Sequence, residues 1–201
     1  MTISTFATLK TSLADWMHRS DLTAVIPDFI TLAEEKLNSD LMSRSMDAIS
    51  TVSTVAGTAT ISMPSDLVEL RRLQVVGDPN QVLSYRSPDE ISQDYPSARQ
   101  GKPVVFTVIG STFELAPIPD GVYSISITYK QRIPALSDSN TTNWVLTSWP
   151  AAYLFGSLCA AQPYIIGDAR IPMFQAMYKE AVNGINSVDW YSGTTMKVRV
   201  I

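Results

Sequence analysis

Apolar residues recur every three or four positions in the first part of the chain. Two segments show this spacing, STFATLKTSLADWMHRS and IPDFITLAEEKLNSDLM. The spacing predicts two helices that each bury one stripe of side chains. Ser4 is placed to cap the first helix, and Pro27 suits the first turn of the second. The second helix is expected to present a polar face with Glu34, Glu35 and Lys36.

From residue 47 to residue 146 the pattern changes to alternation. TVSTVAGTATISMP alternates apolar and small polar residues around Gly57, which predicts a hairpin. LVELRRLQVV predicts a strand that turns at GDPN and returns as QVLSY. SPDEISQDY predicts a short helix capped by Ser87. KPVVFTVIGSTFELAPIPDGVYSISITYKQRI predicts three strands, which turn at Gly110 and Ser111 and again at PIPDG.

The last part of the chain returns to helical spacing. Ser148 is placed to cap WPAAYLFGSLCAAQPYI, and Asp168 is placed to cap a further helix. The order of elements predicts an α+β fold, in which the terminal helices form a bundle and an antiparallel β-rich meander is inserted between them. The bundle is assigned to residues 1–46 and 147–189, the β-rich region to 47–146, and an extended C-terminal tail to 190–201.

Composition changes this picture only modestly. Charged residues make up 17% of the 201 residues, below the ~25% usual for soluble domains, and hydrophobic residues make up 45%. The apolar surplus fits either a larger core or surfaces that partners cover, and both readings stay open. With 19 acidic and 15 basic residues the formal charge is -4, which argues against a sequence-independent nucleic-acid binder. A mildly acidic wall would still let DNA slide past it.

Candidate chemistry is sparse. One histidine and one cysteine cannot make a structural zinc site or an internal disulfide. The chain has no G-x-S-x-G elbow, no GxxxxGK[ST] loop and no GxGxxG turn, so we predict no catalytic, cofactor-binding or metal-binding residue. Hydrolysis by a pair of carboxylates stays formally open, although the interpretation as charges on a solvated surface is favoured. The candidate carboxylates are Asp66, Glu69, Asp89, Glu90, Asp94 and Glu114. We expect neither a signal peptide nor a membrane span.

The segment RIPALSDSNTTNWVLTSWPAAYLFGSLC poses one question, because its polar run could be an active-site loop or a contact surface. Four aromatic residues follow closely: Trp144, Trp149, Tyr153 and Phe155. They could form a stacking platform for a carbohydrate or a base, but anchoring of the loop to the helices is favoured. A glycan-binding or glycan-cleaving virion protein is therefore the alternative interpretation.

Three sequence segments, which follow one another in a fixed order, carry a family resemblance. DWMHRSDLTAVIPDFITLAEEKLNSDL is followed by SMPSDLVELRRL and then by FELAPIPDGVYSISITYKQRIPALSDSNTTNWVLTSWPAAYLFGSLCAA. Over nearly its whole length the sequence resembles the head-to-tail adaptor (connector) proteins of short-tailed bacteriophages, similar to the tail tubular protein A group. The resemblance implies a structural virion protein with no catalytic residue and no cofactor.

The resemblance also implies a place and a set of partners. The protein would be made in the host bacterial cytoplasm and would sit at the head-tail junction of the virion, as a ring of twelve subunits beneath the portal protein. It would extend the DNA channel, provide the attachment site for the tail (nozzle) protein, and let double-stranded DNA pass through its lumen without sequence-specific binding. No membrane contact is expected. A head-to-tail interface between identical subunits closes into such a ring when the rotation between them divides a full turn.

Two sets of contact residues follow from this interpretation. A loop at the subunit rim would contact a neighbouring subunit or a tail component through Ser137, Asp138, Ser139, Asn140, Thr141, Thr142, Asn143 and Trp144. The C-terminal segment would dock on the portal through Trp190, Tyr191, Met196, Val198, Val200 and Ile201. For that segment the alternative, a strand that folds back onto its own β-rich region, stays open.

Overall fold

The computed structural model describes residues 2–19, 21–96, 99–165 and 168–188. The chain divides into a helical unit, residues 1–46 together with 133–201, and a β unit, residues 47–132. Helices and two antiparallel-rich sheets make the fold α+β, which confirms the predicted class. The segment 133–146, which was grouped with the β-rich region on sequence, belongs to the helical unit, because Ile133, Leu136, Val145 and Leu146 lie in its core.

The described residues contain six α-helices. In chain order they are α1 (Phe6–Met17), α2 (Ile26–Asp40), α3 (Pro88–Asp94), α4 (Trp144–Ser148), α5 (Pro150–Ala160) and α6 (Ile171–Val188). Single 3₁₀ turns lie at Arg44–Met46 and Gln162–Tyr164. All except α3 belong to the helical unit.

Helix α5 is the centre of the helical unit. It contacts α1, α2, α4 and α6. Its sequence is apolar on every side, as expected of a helix surrounded by others, and seven of its eleven residues are buried. Gly156 is needed at the closest approach, because a Cβ there would lie 3.2 Å from the Tyr178 ring and 3.3 Å from Ala33 Cβ. The amphipathic α1, α2 and α6 turn their apolar stripes toward this helix.

The helix starts were partly predicted. Pro27 does lie in the first turn of α2, and Ser87 caps α3 through a capping box with Glu90. The cap of α1 is Thr5, one residue after the predicted Ser4. The prediction that Ser148 caps the helix that follows was wrong: Ser148 ends the short helix α4, and α5 starts after Trp149 without a side-chain cap. The cap of α4 is Asn143, whose side chain accepts from the Leu146 N–H.

Eight strands lie in the described part of the β unit. They are β1 (Asp47–Ser53), β2 (Thr60–Ser62), β3 (Leu67–Val75), β4 (Gln81–Val82), β5 (Ser84–Tyr85), β6 (Val105–Ile109), β7 (Thr112–Ala116) and β8 (Ser124–Gln131). Sheet A has the order β1-β8-β3-β4, and sheet B has the order β2-β7-β6-β5. All ladders are antiparallel except that of β5 with β6.

One apolar core lies between the two sheets. Alternate residues of the central strands point into it, among them Ile125, Ile127 and Tyr129 of β8 and Phe113 and Leu115 of β7. On the outer face of sheet B, Ile91 of α3 packs on Val105 and Ala116. The β unit therefore has its own core and its own covering helix.

The hairpin predicted around Gly57 is wrong. β1 pairs with β8 in sheet A, whereas β2 pairs with β7 in sheet B. The reason is that the intervening loop is held by another segment: Thr54 N–H donates to Tyr123 O at 2.9 Å, and Gly57 N–H donates to Pro119 O at 2.8 Å. Gly57 has a φ of 78°, which favours glycine. The predicted returning strand QVLSY is likewise split between the sheets, since β4 pairs with β3 and β5 pairs with β6.

Candidate interaction site

The polar loop lies between the end of β8 and the start of α4. Its middle, Ser139 to Thr142, is exposed, together with Asp138. Ser137 and Trp144 are half-buried, and Asn143 is only 8% exposed. The loop therefore presents a short polar surface whose two ends are fixed in the helical unit.

Hydrogen bonds within the loop give it a defined shape. Ser137 N–H donates to Asn140 O at 2.9 Å, and Asn140 N–H donates back to Ser137 Oγ at 3.0 Å. Asn140 Nδ2 also donates to Ala135 O at 2.6 Å. Because these bonds close the loop on itself, its exposed groups are held in position before any partner arrives.

Helix α1 holds one side of the loop. The first helical N–H, that of Phe6, donates to Thr141 O at 2.7 Å, so the loop supplies a partner for a helix end that would otherwise lack one. Lys10 Nζ lies 3.1 Å from Asp138 Oδ1, but the Asp138 side chain is 88% exposed. Such a solvated ion pair contributes little to stability.

A buried polar network holds the other side of the loop. Glu34 Oε1, on α2, accepts from Leu136 N–H at 2.8 Å and from the Tyr153 hydroxyl at 3.1 Å. Asn143 Nδ2 donates to Tyr153 Oη at 2.6 Å and to Pro134 O at 2.8 Å. Three elements, α2, the loop and α5, thus meet at one carboxylate.

The electrostatics of this network indicate a structural role. Burial raises the pKa of Glu34, while the bonds from Leu136 and Tyr153 act in the opposite direction. Burial and the adjacent Glu34 together raise the pKa of Tyr153 far above the ordinary tyrosine range. Tyr153 is fully buried, and its hydroxyl both donates and accepts within the network. Because Glu34, Asn143 and Tyr153 are buried and hydrogen-bonded to one another's segments, the arrangement fastens the loop to the helices.

Sequence reasoning missed this network. It placed Glu34 on the polar face of α2, whereas the side chain is 6% exposed. The signal was present, because Glu34 follows Ile30 by four positions and precedes Leu37 by three, on the stripe that faces the core. Asn143 was predicted as a contact residue, but its side chain is used within the subunit as cap and bridge.

The four aromatic residues near the loop do not form an open platform. Tyr153 and Phe155 are buried in the helical core, and Trp144 and Trp149 pack against that core. The surface needed to stack a sugar or base is therefore covered. The anchoring interpretation fits this arrangement.

Three of the six carboxylates left open for hydrolysis lie in ordinary structural contacts. Asp66 accepts from the Tyr129 hydroxyl at 3.0 Å, Glu69 pairs with Arg71 at 3.2 Å, and Glu90 completes the capping box of α3. Within residues 2–19, 21–96, 99–165 and 168–188, no group of three His, Cys, Asp or Glu side chains could hold a metal ion. His18 ends α1 in the left-handed conformation, with a φ of 51°.

The residues predicted to dock on the portal lie outside the described residues. Trp190, Tyr191, Met196, Val198, Val200 and Ile201 all fall in the undescribed C-terminal segment. Among the helices that are described, none is long and apolar enough to cross a membrane.

Comparison with known proteins identifies the class. The model of the SU10 adaptor protein family matches residues 4–199, nearly the whole chain. The chain therefore belongs to the SU10 adaptor protein family, in agreement with the resemblance to phage head-to-tail adaptors. It is a structural phage adaptor protein. A search among curated proteins found no match.

Proposed function

We propose that this protein forms a ring beneath the portal, extends the DNA channel and provides the attachment site for the tail. The observation that carries the proposal is the match of an adaptor family over residues 4–199. Twelve copies would assemble on the portal, which acts as a template for their number. Identical subunits that meet head to tail close into a ring when the rotation between them permits.

The exposed part of the polar loop is proposed as a contact with a neighbouring subunit or a tail component. Its exposed members are Asp138, Ser139, Asn140, Thr141 and Thr142. Small polar groups that are held by internal hydrogen bonds lose little freedom on binding and suit a wet, hydrogen-bonded interface. Ser137, Asn143 and Trp144 would support this surface from behind.

Residues 190–201 are proposed as the portal-docking segment, with folding onto the protein's own β unit as the alternative. Trp190 and Tyr191 would supply large anchors, and the alternating Met196, Val198, Val200 and Ile201 would add to a sheet edge of the portal. Deletion of 190–201 should abolish binding to the portal. Unchanged binding of the deletion variant would contradict the docking role.

Double-stranded DNA is proposed to pass through the lumen of the ring without sequence-specific binding. The chain carries a formal charge of -4, so a mildly acidic wall would repel phosphates and keep DNA from adhering. The same charge balance offers no excess of cations that could neutralise a phosphate backbone.

The proposal is tested by assembly. Purified protein should be mixed with its cognate portal and studied by light scattering and electron microscopy. A ring of adaptor on one face of the portal is expected. An unaltered portal beside a monomeric protein would contradict the proposal. Hydrolysis of cell-wall glycan by the monomer would favour the glycan-cleaving alternative.

A further inference from the structure

The β unit exposes two apolar surfaces, one beyond the end of the β1–β8 ladder and one beside β3 and β4, where strands of sheet B complete its lining. Strand β1 forms one edge of sheet A and β4 forms the other. Within the described chain no strand pairs with the free side of β1. Residues 48–65, which follow Asp47, contain no charged residue. Natural proteins usually protect a sheet edge with charges or proline, and the part of β1 after Asp47 has neither, so it is suited to contact with another protein.

The first surface is a tip formed beyond the β1–β8 ladder. The ladder ends with Ser53 opposite Ser124. Thr54 and Tyr123 then keep the two segments side by side through two hydrogen bonds of 2.9 and 2.8 Å. The next residues, Val55 and Val122, are 63% and 75% exposed.

The charge of this tip comes from one residue. Asp120 is the single charged residue in segments 48–59 and 117–123. It is exposed, and its carboxylate accepts from the Tyr123 hydroxyl at 2.7 Å, which ties it to the residue that follows Val122. We call Val55, Val122 and Asp120 the valine tip. It is an apolar surface that carries one carboxylate.

The second surface is a groove on the β4 side. It has a volume of about 450 Å³, and its apolar lining includes Leu70, Leu73, Val82, Leu83, Tyr85 and Phe106. Its charged lining residues are Arg71 and Arg72. Arg71 pairs with Glu69 at 3.2 Å and Asp47 at 3.7 Å. Arg72 is exposed and forms no ion pair with a described residue. We call this opening the arginine groove.

Tip and groove are complementary in both apolar character and charge. Two exposed valines would be removed from water by an apolar groove, and an exposed aspartate would meet an arginine that has no carboxylate partner among the described residues. Since tip and groove are formed by different residues, a contact between two copies leaves a free tip on one copy and a free groove on the other. That is the geometry of a head-to-tail interface.

We propose that the valine tip of one copy docks in the arginine groove of the next copy, with Asp120 facing Arg72. This inference rests on the proposed ring, for which it names the contact between neighbouring subunits. It commits to a second copy of this chain as the occupant of the groove. Docking of a tail component or of the portal in the groove is the competing outcome.

Two charge-reversing variants test the pairing. In Arg72→Glu the groove repels the native tip, and in Asp120→Arg the tip repels the native groove. For each variant alone, the amount of ring assembled on the portal should fall by about tenfold or more, because like charges then face each other at every contact. An equimolar mixture should restore assembly, since an alternating ring places Asp120 opposite Arg72 and the new arginine opposite the new glutamate at successive contacts.

Controls distinguish a failure of this inference from misfolding of the variants and from a failure of the proposed function. Lys102→Glu and Ile109→Ser alter exposed residues that belong to neither tip nor groove, and they should assemble as the wild type does. Thermal melting should show both charge variants folded. If each variant assembles as the wild type, or if the mixture of folded variants stays unassembled, docking between copies is wrong while the ring itself stands. If the wild type forms no ring on the portal, the proposed function fails first.

Discussion

The polar loop of the helical unit and the valine tip of the β unit use their side chains in opposite ways. The loop is rich in Ser, Asn and Thr, yet much of its hydrogen-bonding capacity is used within the subunit, through Glu34, Tyr153 and its own backbone. The tip has few polar groups and leaves Val55 and Val122 mostly exposed. A polar segment in a sequence is thus a poor indicator of a surface that binds a partner. Exposed apolar surface in the structure is a better indicator.

The largest expected effect concerns the centre of the helical unit. Tyr153→Ala should lower the free energy of unfolding by about 4 kcal/mol, because it empties a fully buried site and removes a partner of both Glu34 and Asn143. Chemical denaturation would measure the change. Tyr85→Ala, at a side chain that is 61% exposed in the β unit, should cost less than about 1 kcal/mol. Equal losses of unfolding free energy for the two variants would contradict the expected difference between the buried tyrosine of the helical unit and the exposed tyrosine of the β unit.

A smaller effect is expected at the helix contacts. Gly156→Ala gains about 1 kcal/mol of helix propensity but places a Cβ against the Tyr178 ring and Ala33, so a net loss of about 1 kcal/mol is expected. Gly184→Ala is the matched control in α6, where the nearest atom, Trp149 Cζ3, is at 3.6 Å. It should stabilise the protein by up to about 1 kcal/mol. A stabilising Gly156→Ala would mean that the helices around α5 are packed less closely.

The buried carboxylate should give the helical unit a pH dependence. Because burial holds the pKa of Glu34 above its unfolded value, the folded state retains this proton more strongly. The resulting stabilisation is fully present below the unfolded pKa and is lost as pH rises through the folded pKa. Unfolding free energies of the wild type and Glu34→Gln should therefore be compared between about pH 4 and about pH 7. The wild type should lose stability relative to the variant as pH rises, and Glu35→Gln, at the exposed neighbour, should leave the slope unchanged.

The smallest expected effect on stability is at the valine tip. A Val55→Ser, Val122→Ser double variant should change the free energy of unfolding by less than about 0.5 kcal/mol, because both side chains are mostly exposed in the subunit. The same variant should weaken ring assembly on the portal. A large loss of stability in the isolated subunit would show that the tip serves its own fold.

Helices were predictable from the sequence because their signals are local. The spacing of Phe6, Leu9 and Leu13 and the position of Pro27 lie within single helices, and the structure places α1 and α2 there. Asn143 was missed as a cap because the short helix α4, which it starts, was not predicted from the sequence. Only the structure shows that α5 starts at Pro150 without a side-chain cap.

Strand pairing and the buried network depend on distant residues. Gly57 looks like a hairpin turn, but its N–H bonds to Pro119, which the local pattern cannot reveal. Glu34 and Tyr153 are 119 positions apart. Their contact follows from the packing of α2 on α5, not from any motif. The valine tip likewise needs the β1–β8 register before Val55 and Val122 can be placed at the same end of that ladder.

Hydrogen-deuterium exchange of the free protein and of the portal-bound protein tests most directly where copies meet. In the ring, the amides of residues 120–122 and 81–85 should exchange about tenfold or more slowly than in the free subunit, because tip and groove become covered. Unchanged exchange in these two segments, with new protection confined to the helical unit, would contradict an interface built on the exposed apolar surfaces of the β unit.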